Sequence, residues 1–504
     1  MSEYALELND VSFAYEGARP SITDINLAIA QGECHVLMGA SGSGKTTIIR
    51  TINGLAGGYY TGVLGGCVRI GGKDSRALSS WQRASTVGSV FQDPASQFFS
   101  AQLAGEIAFG CENLGLDHDA VVSRADAVIE HMNVGHLRGS DIDTLSSGEK
   151  QKVAIASTLA PAPTILAMDE PSANLDTHAA GELGNILARL KKDGYTLIVA
   201  EHRIAYLMDV ADYFHYVSDG TIVRTFTRDD VYALSDSERS RMGIRSPFRV
   251  ENPEIAAPAV QARNDGTRLV VASERQQAAK QSLVGGNPHN LLEVCDLTVR
   301  LDKKDIVTNV KLRLKSGTIT AITGENGAGK TTLMRAIAGL TKTASGTITL
   351  NCLPLSMRAR RQKIWSSPND LSAQFFTASV GEEIMLQVDP NEENIERARS
   401  LLRNLGLYEH KDHHPYALSG GQKQRLALAC GLMQARPVLI FDEPTSGLDS
   451  INMERLANAL RLAASEGATI AVVTHDHEFI DSCATHLYHQ KSPREQAFAE
   501  RNNA

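Results

Sequence analysis

The sequence predicts an α/β fold built twice in one chain, as two domains that each have strands alternating with helices. Three observations predict it. A glycine-rich loop of Gly39, Ala40, Ser41, Gly42, Ser43, Gly44, Lys45 and Thr46 returns as Gly324, Glu325, Asn326, Gly327, Ala328, Gly329, Lys330 and Thr331. Each copy follows an apolar run that reads as a strand (His35 to Met38; Ile319 to Ile322) and leads into one that reads as a helix (Thr47 to Arg50; Thr332 to Arg335). Every later landmark of the first half has an echo in the second.

The loop spacing is that of a phosphate-binding loop. Glycines free backbone N–H groups to wrap phosphate oxygens, the lysine neutralises the β/γ charge, and the threonine hydroxyl holds Mg²⁺. Because a helix follows, with Thr47 and Thr332 in its first turn, the phosphates are expected at a helix N-terminus, where unpaired N–H groups favour an anion. A nucleotide with Mg²⁺ is the expected ligand.

Downstream, Leu145, Ser146, Ser147, Gly148 and Glu149 are answered by Leu418, Ser419, Gly420, Gly421 and Gln422. The apolar run ending in Asp169, Glu170 and Pro171 is answered by one ending in Asp442, Glu443 and Pro444, and Val199 to His202 by Val472 to His475. Ser146 to Asp169 and Ser419 to Asp442 are each 23 positions, and Glu170 to His202 and Glu443 to His475 are each 32. Equal spacing implies equal folds. Upstream the halves differ, with 101 positions from Lys45 to Ser146 and 89 from Lys330 to Ser419. The excess is read mainly as a glycine-rich surface insertion at 57–66. The expected organisation is a first domain at 3–230, a linker at 231–288 carrying Pro247, Pro253 and Pro258, a second domain at 289–488 and a polar tail at 489–504.

Composition narrows the function. A net charge of −8 from 50 Lys+Arg and 58 Asp+Glu argues against a general nucleic-acid binder. No run approaches the roughly 18–20 apolar residues needed to cross a bilayer, and the first residues lack the features of a signal peptide. The chain is expected in the cytosol, with any membrane role through a partner. Seven dispersed cysteines without a C-x-x-C pair read as buried reduced thiols rather than a metal or redox site.

P-loop, signature, Asp-Glu strand end, a loop ending in Leu-Asp (Ser172 to Asp176; Ser446 to Asp449) and a strand-end histidine occur in this order in both halves. The chain therefore resembles a tandem ATP-binding-cassette ATPase, which implies in each half a RecA-like core, an antiparallel β subdomain and a helical signature subdomain. The strings Val-Phe-Gln-Asp-Pro-Ala-Ser-Gln-Phe-Phe ending at Phe99 and Val-Ala-Glu-His-Arg-Ile-Ala-Tyr-Leu ending at Leu207 resemble, more narrowly, the fused ATPase of energy-coupling-factor importers of cobalt and vitamins.

The resemblance assigns expected roles. Thr46, Thr331, Asp169, Asp442 and Gln92 serve Mg²⁺, Glu170 and Glu443 polarise the attacking water, and His202 and His475 reach the γ-phosphate. It also implies a pseudo-dimer of the two cassettes. In it, the Lys45 site is completed by Ser419, Gly420, Gly421 and Gln422, and the Lys330 site by Ser146, Ser147, Gly148 and Glu149.

Three departures fall on the Lys330 site. Tyr15 can stack on adenine, but its counterpart is Leu301. Gln92 aligns with Ser366, a small insertion leaving Gln374 as a substitute. Ser147 and Glu149 stand where Gly and Gln are usual, and Glu149 adds negative charge near a polyphosphate. The Lys330 site is therefore expected to bind ATP more loosely or turn over more slowly.

The expected partners are a transmembrane coupling subunit and a small substrate-capture membrane subunit, met at the cytoplasmic face. Gln97, Phe98 and Phe99, with Gln374, Phe375 and Phe376, are candidates for receiving a helix of that partner; core packing is the competing reading of the aromatics. Two alternatives stand beside this one, the tandem ATPase of a sugar importer and a soluble two-cassette translation factor. The latter needs a basic arm, whereas the linker is balanced in charge and carries three prolines. Cargo is not legible, because function resides in sites and the cassette does not touch it.

Overall fold

The computed structural model describes residues 4–248, 291–301, 303–371 and 374–491, with the backbone of 267–269. The chain forms two compact units that divide near residue 250.

The first unit contains β1 (Tyr4–Tyr15), β2 (Pro20–Ala30), β3 (Cys34–Met38), β4 (Gly62–Ile70), β5 (Lys73–Asp74), β6 (Val87–Val90), β7 (Ile165–Asp169), β8 (Thr196–Ala200), β9 (Tyr213–Ser218) and β10 (Thr221–Phe226). An antiparallel sheet runs β2-β1-β4-β5, and the central sheet runs β10-β9-β3-β8-β7-β6. The central sheet is parallel except for the β9–β10 hairpin. Strands buried on both faces favour near-continuous apolar sequence, and β3, β7 and β8 follow that pattern apart from His35 and the terminal Asp169 and Thr196. Alternate residues leave on opposite faces. Val36, Met38, Leu166, Met168, Leu197 and Val199 pack into one core with the helices, while Leu37, Ile165, Ala167, Ile198 and Ala200 pack into another with the antiparallel sheet.

The second unit contains β11 (Thr267–Leu269), β12 (Leu292–Leu301), β13 (Lys304–Leu314), β14 (Ile319–Thr323), β15 (Ser345–Leu350), β16 (Leu353–Pro354), β17 (Ile364–Ser367), β18 (Val438–Asp442), β19 (Thr469–Val473) and β20 (His486–His489). Its sheets run β13-β12-β15-β16 and β11-β20-β14-β19-β18-β17, repeating the first unit's topology strand for strand except at one edge. There the antiparallel edge strand is β11, which precedes the rest of the unit in sequence, where the first unit uses β10 from a hairpin.

The stretch expected as linker, 231–288, is more structured at its start than its prolines suggest. Helices Arg228–Ala233 and Asp236–Met242 begin with capping boxes at Thr227/Asp230 and Ser235/Glu238, and Val231, Leu234 and Ile244 join the first unit's core. Most of the remainder lies outside the described residues. At the other end, His489 closes β20 and Gln490 is buried, so the polar tail begins after them. All seven cysteines are free, but Cys295 and Cys352 are exposed, against the expectation of burial. Among the described residues no helix is long and apolar enough to cross a membrane.

Candidate active site

Each P-loop leaves the end of a central parallel strand and turns into a helix, Lys45–Ile52 in the first unit and Lys330–Ile337 in the second. Gly39 has φ +146°, and a Cβ there would lie 2.2 Å from the Val217 carbonyl oxygen; Gly324 has φ +144°, with Gln490 O at 2.3 Å. Only glycine fits either position. Lys45 is buried, with Nζ donating to Gly39 O and Ala40 O, both at 2.9 Å; Lys330 Nζ donates to Gly324 O at 2.8 Å and Glu325 O at 2.9 Å. Burial lowers the Lys45 pKa, and the nearby Glu170 charge opposes that shift.

The acidic strand ends meet these loops. Thr46 Oγ1 donates to Asp169 Oδ1 at 2.9 Å, and Thr331 Oγ1 to Asp442 Oδ2 at 2.7 Å. Burial, with Glu170 adding to it, pushes Asp169 up to about 6 against the opposing Thr46 hydrogen bond; burial likewise raises Asp442. The next residue leaves the strand in the left-handed region in both units, Glu170 at φ 45° and Glu443 at φ 48°. This conformation is costly for a residue with a Cβ and is typical of functional sites. It is held by Glu170 N donating to Ala200 O and Glu443 N to Val473 O, both at 2.8 Å.

Glu170 then sits between two of the expected site residues. Gln92 Nε2 donates to Glu170 Oε2 at 2.7 Å, and His202 Nε2 lies 3.1 Å from Glu170 Oε1. Burial works against ionisation of Glu170, but His202 and Lys45 outweigh it and its pKa is lowered. In the second unit His475 Nε2 is 3.6 Å from Glu443 Oε1, and both side chains are more exposed than their first-unit counterparts.

The second Gln92 position requires a correction. β6 and β17 pair with β7 and β18 in one register: Val87 opposes Ile165 as Ile364 opposes Val438, and Ser89 opposes Ala167 as Ser366 opposes Ile440. Ser366 is therefore the counterpart of Ser89, inside the strand, and the counterpart of Gln92 is Asn369. Nor does Gln374 substitute for it. Phe99 N donates to Glu106 Oε2 at 2.8 Å and Phe376 N to Glu383 Oε2 at 2.9 Å, so Gln374 matches Gln97, with no insertion between. Gln97 braces its own loop, accepting from Phe91 N and donating to Ala154 O and Thr158 Oγ1. The sequence signal for Asn369 was its distance of five positions before Gln374, equal to that between Gln92 and Gln97.

Tyr15 OH lies 3.3 Å from Thr47 Oγ1 and accepts from Arg50 Nη1 at 3.1 Å, which ties it to the first P-loop helix; Leu301 closes β12 half-exposed. Ser146 and Ser419 cap the helices Ser147–Leu159 and Gly420–Met433. Glu149 folds back onto that cap, accepting from Ser146 N at 2.9 Å and Ser146 Oγ at 2.6 Å, and the Ser146 hydrogen bond lowers its pKa. Gln422 makes the same backbone contact to Ser419 N at 2.8 Å. The paired aromatics divide their roles: Phe98 packs against the core and Phe375 is buried, whereas Phe99 and Phe376 are 75% and 79% exposed.

These residues suit ATP with Mg²⁺. Neither P-loop helix has a side chain capping its first N–H groups, and the buried Ser43 Oγ has no hydrogen-bond partner among the described residues. The Thr46 hydroxyl and Asp169 carboxylate form a hard oxygen pair of the kind Mg²⁺ prefers.

Comparison with known proteins agrees. The sequence model of the family described as ABC transporter matches residues 22–173 and 307–446. A putative ABC transporter ATP-binding protein of Treponema denticola is 38% identical over 96% of this chain and 94% of its own length. The putative HMP/thiamine import ATP-binding protein YkoD of Bacillus subtilis is 32% identical over 95% of this chain and 88% of its own. Among solved structures, the archaeal ribosome recycling factor aABCE1, in complex with the stalk protein aP1, is 20% identical with a TM-score of 0.61, covering 98% of this chain and 92% of its own. At that identity the likeness shows the tandem-cassette fold alone.

Proposed function

The chain belongs to the ABC transporter family, whose ATP-binding members are ATPases using ATP with Mg²⁺, and from that premise we propose that it is the motor subunit of a membrane importer of the energy-coupling-factor type. The observation that carries the hydrolytic part is the placement of Glu170 between Gln92 and His202, beside the Thr46–Asp169 pair. The import part is supported by the similarity, over 95% of this chain and 88% of the relative, to a protein named as a putative import ATP-binding protein.

In the proposed reaction Lys45 and the loop N–H groups bind the β- and γ-phosphates of the substrate ATP. Thr46 and Asp169 would hold Mg²⁺, which when bound would supply neutralisation of the phosphate charge. Glu170 accepts a proton from the attacking water as it approaches the γ-phosphorus, and Gln92 and His202 keep its carboxylate aimed. Lys330, Thr331, Asp442, Glu443 and His475 repeat the arrangement in the second unit. The signatures at Ser146 and Ser419 are assigned to the nucleotide of the opposite cassette, so that ATP binding and hydrolysis close and release a pseudo-dimer. Work is delivered to a transmembrane coupling subunit at the cytoplasmic face.

Affinity capture of the full-length chain from its own membranes tests the reading. A membrane subunit pair is expected; a ribosome or a sugar permease in its place sinks it. Independently, a Lys45→Ala/Lys330→Ala chain should lose ATP hydrolysis.

A further inference from the structure

Glu201 is a buried carboxylate just past the end of β8, immediately before His202. Its two oxygens accept four hydrogen bonds. Oε1 accepts from His202 N at 2.8 Å and Arg203 N at 3.2 Å; Oε2 accepts from Ser172 N at 3.3 Å and from the Tyr206 hydroxyl at 2.9 Å. Ser172 stands two positions after Glu170 and opens the loop that ends at Asp176. Arg203 adds a second tie to that loop, Nη1 donating to Leu175 O at 2.9 Å.

One side chain therefore holds both segments that flank Glu170: the turn presenting His202 and the loop leaving Glu170 itself. A carboxylate is suited to this because both oxygens accept at once, whereas an amide offers one acceptor and one donor group. Three of the four donors are backbone N–H groups, so the clamp fixes main-chain paths rather than a single rotamer. In the second unit the same position is Thr474, whose hydroxyl accepts from Asp476 N at 3.1 Å, a bond within its own turn.

The geometry points to Glu201 as a positioning residue of the first ATP site, one that locks the His202 turn to the 172–176 loop and so sets the His202–Glu170 contact. The inference rests on hydrolysis at that site and is independent of the membrane partner. Rearrangement of the loop is passed to His202 through one carboxylate, whereas the Thr474 hydroxyl bond of the second unit stays within its own turn.

The test is a double-mutant cycle on the full-length chain with Glu201→Gln, His202→Ala and both, read as kcat and KM for ATP, with single-turnover assays grading the slow variants. Glu201→Gln is expected to lower kcat about tenfold to a hundredfold, as misplacement of catalytic groups does, with KM within about threefold of wild type. Acting through His202, it should add little in the His202→Ala background. Glu201→Asp, which keeps both acceptors, should recover part of kcat. Losses that multiply in the double variant, or a Glu201→Gln chain whose KM rises as its kcat falls and whose nucleotide-free melting temperature drops, overturn the proposal in favour of a purely structural carboxylate. If the Lys45→Ala/Lys330→Ala chain keeps wild-type turnover, the hydrolytic reading itself fails first.

Discussion

Gln92 donates from Nε2 to Oε2 of Glu170 at 2.7 Å, whereas the register of the second sheet puts the exposed Asn369 in the place of Gln92. An asparagine amide ends one carbon closer to the main chain, so it cannot reach the same point without backbone movement. The two units therefore differ in the side chain available at this position.

Shortening the first amide should show the effect of that difference. Gln92→Asn is expected to cut kcat for ATP about tenfold with little change in melting temperature, since the loss is of aim rather than packing. Steady-state ATPase equal to wild type would remove the role given to the 2.7 Å contact.

The two glutamates should differ in weight. Glu170 is held by Gln92 and by His202 at 3.1 Å, while His475 stands 3.6 Å from Glu443. Glu170→Gln is predicted to cost more turnover than Glu443→Gln in the assembled complex. Equal losses by the two variants would mean two equivalent sites.

Acid should destabilise the first unit through a buried histidine pair. His35 Nδ1 and His215 Nε2 are 2.9 Å apart, with Glu33 Oε2 3.0 Å from His35 Nε2 and Thr225 Oγ1 2.9 Å from His215 Nδ1. Burial lowers both imidazoles from the ordinary 6.5, His215 to about 3, with Glu33 opposing at His35. Below about pH 6.5 the unfolded chain takes up protons that the folded one refuses. Stability is therefore full above that pH and falls toward pH 3, at about 1.4 kcal/mol per pH unit for His215 alone. Replacing the pair by the second unit's residues at these register positions, His35→Thr with His215→Tyr after Thr320 and Tyr488, should flatten the dependence. Urea unfolding at several pH values checks it, and an unchanged slope rejects the assignment.

Docking should be sensitive at the exposed aromatics and not through folding. Phe99 and Phe376 are 75% and 79% exposed, so Phe99→Asp and Phe376→Asp should shift stability by no more than about 0.5 kcal/mol while weakening capture of the membrane partner. Retained capture and unchanged partner-stimulated ATPase would exclude these rings from the contact.

The sequence by itself determined that two P-loop domains share one chain, and where their lysines, metal-side aspartates, glutamates and histidines lie. Those groups ride on short contiguous motifs whose local backbone needs, such as the φ +146° of Gly39, leave almost no choice of residue. Only the tertiary structure decided that Asn369 rather than Ser366 stands at the Gln92 position, that β11 edges the second sheet, and that Glu201 clamps two loops. The physical reason is common to all three. Register between parallel strands and contacts between distant loops are set by hydrogen bonds across the sheet, and the linear spacing of residues does not encode which partner each N–H finds.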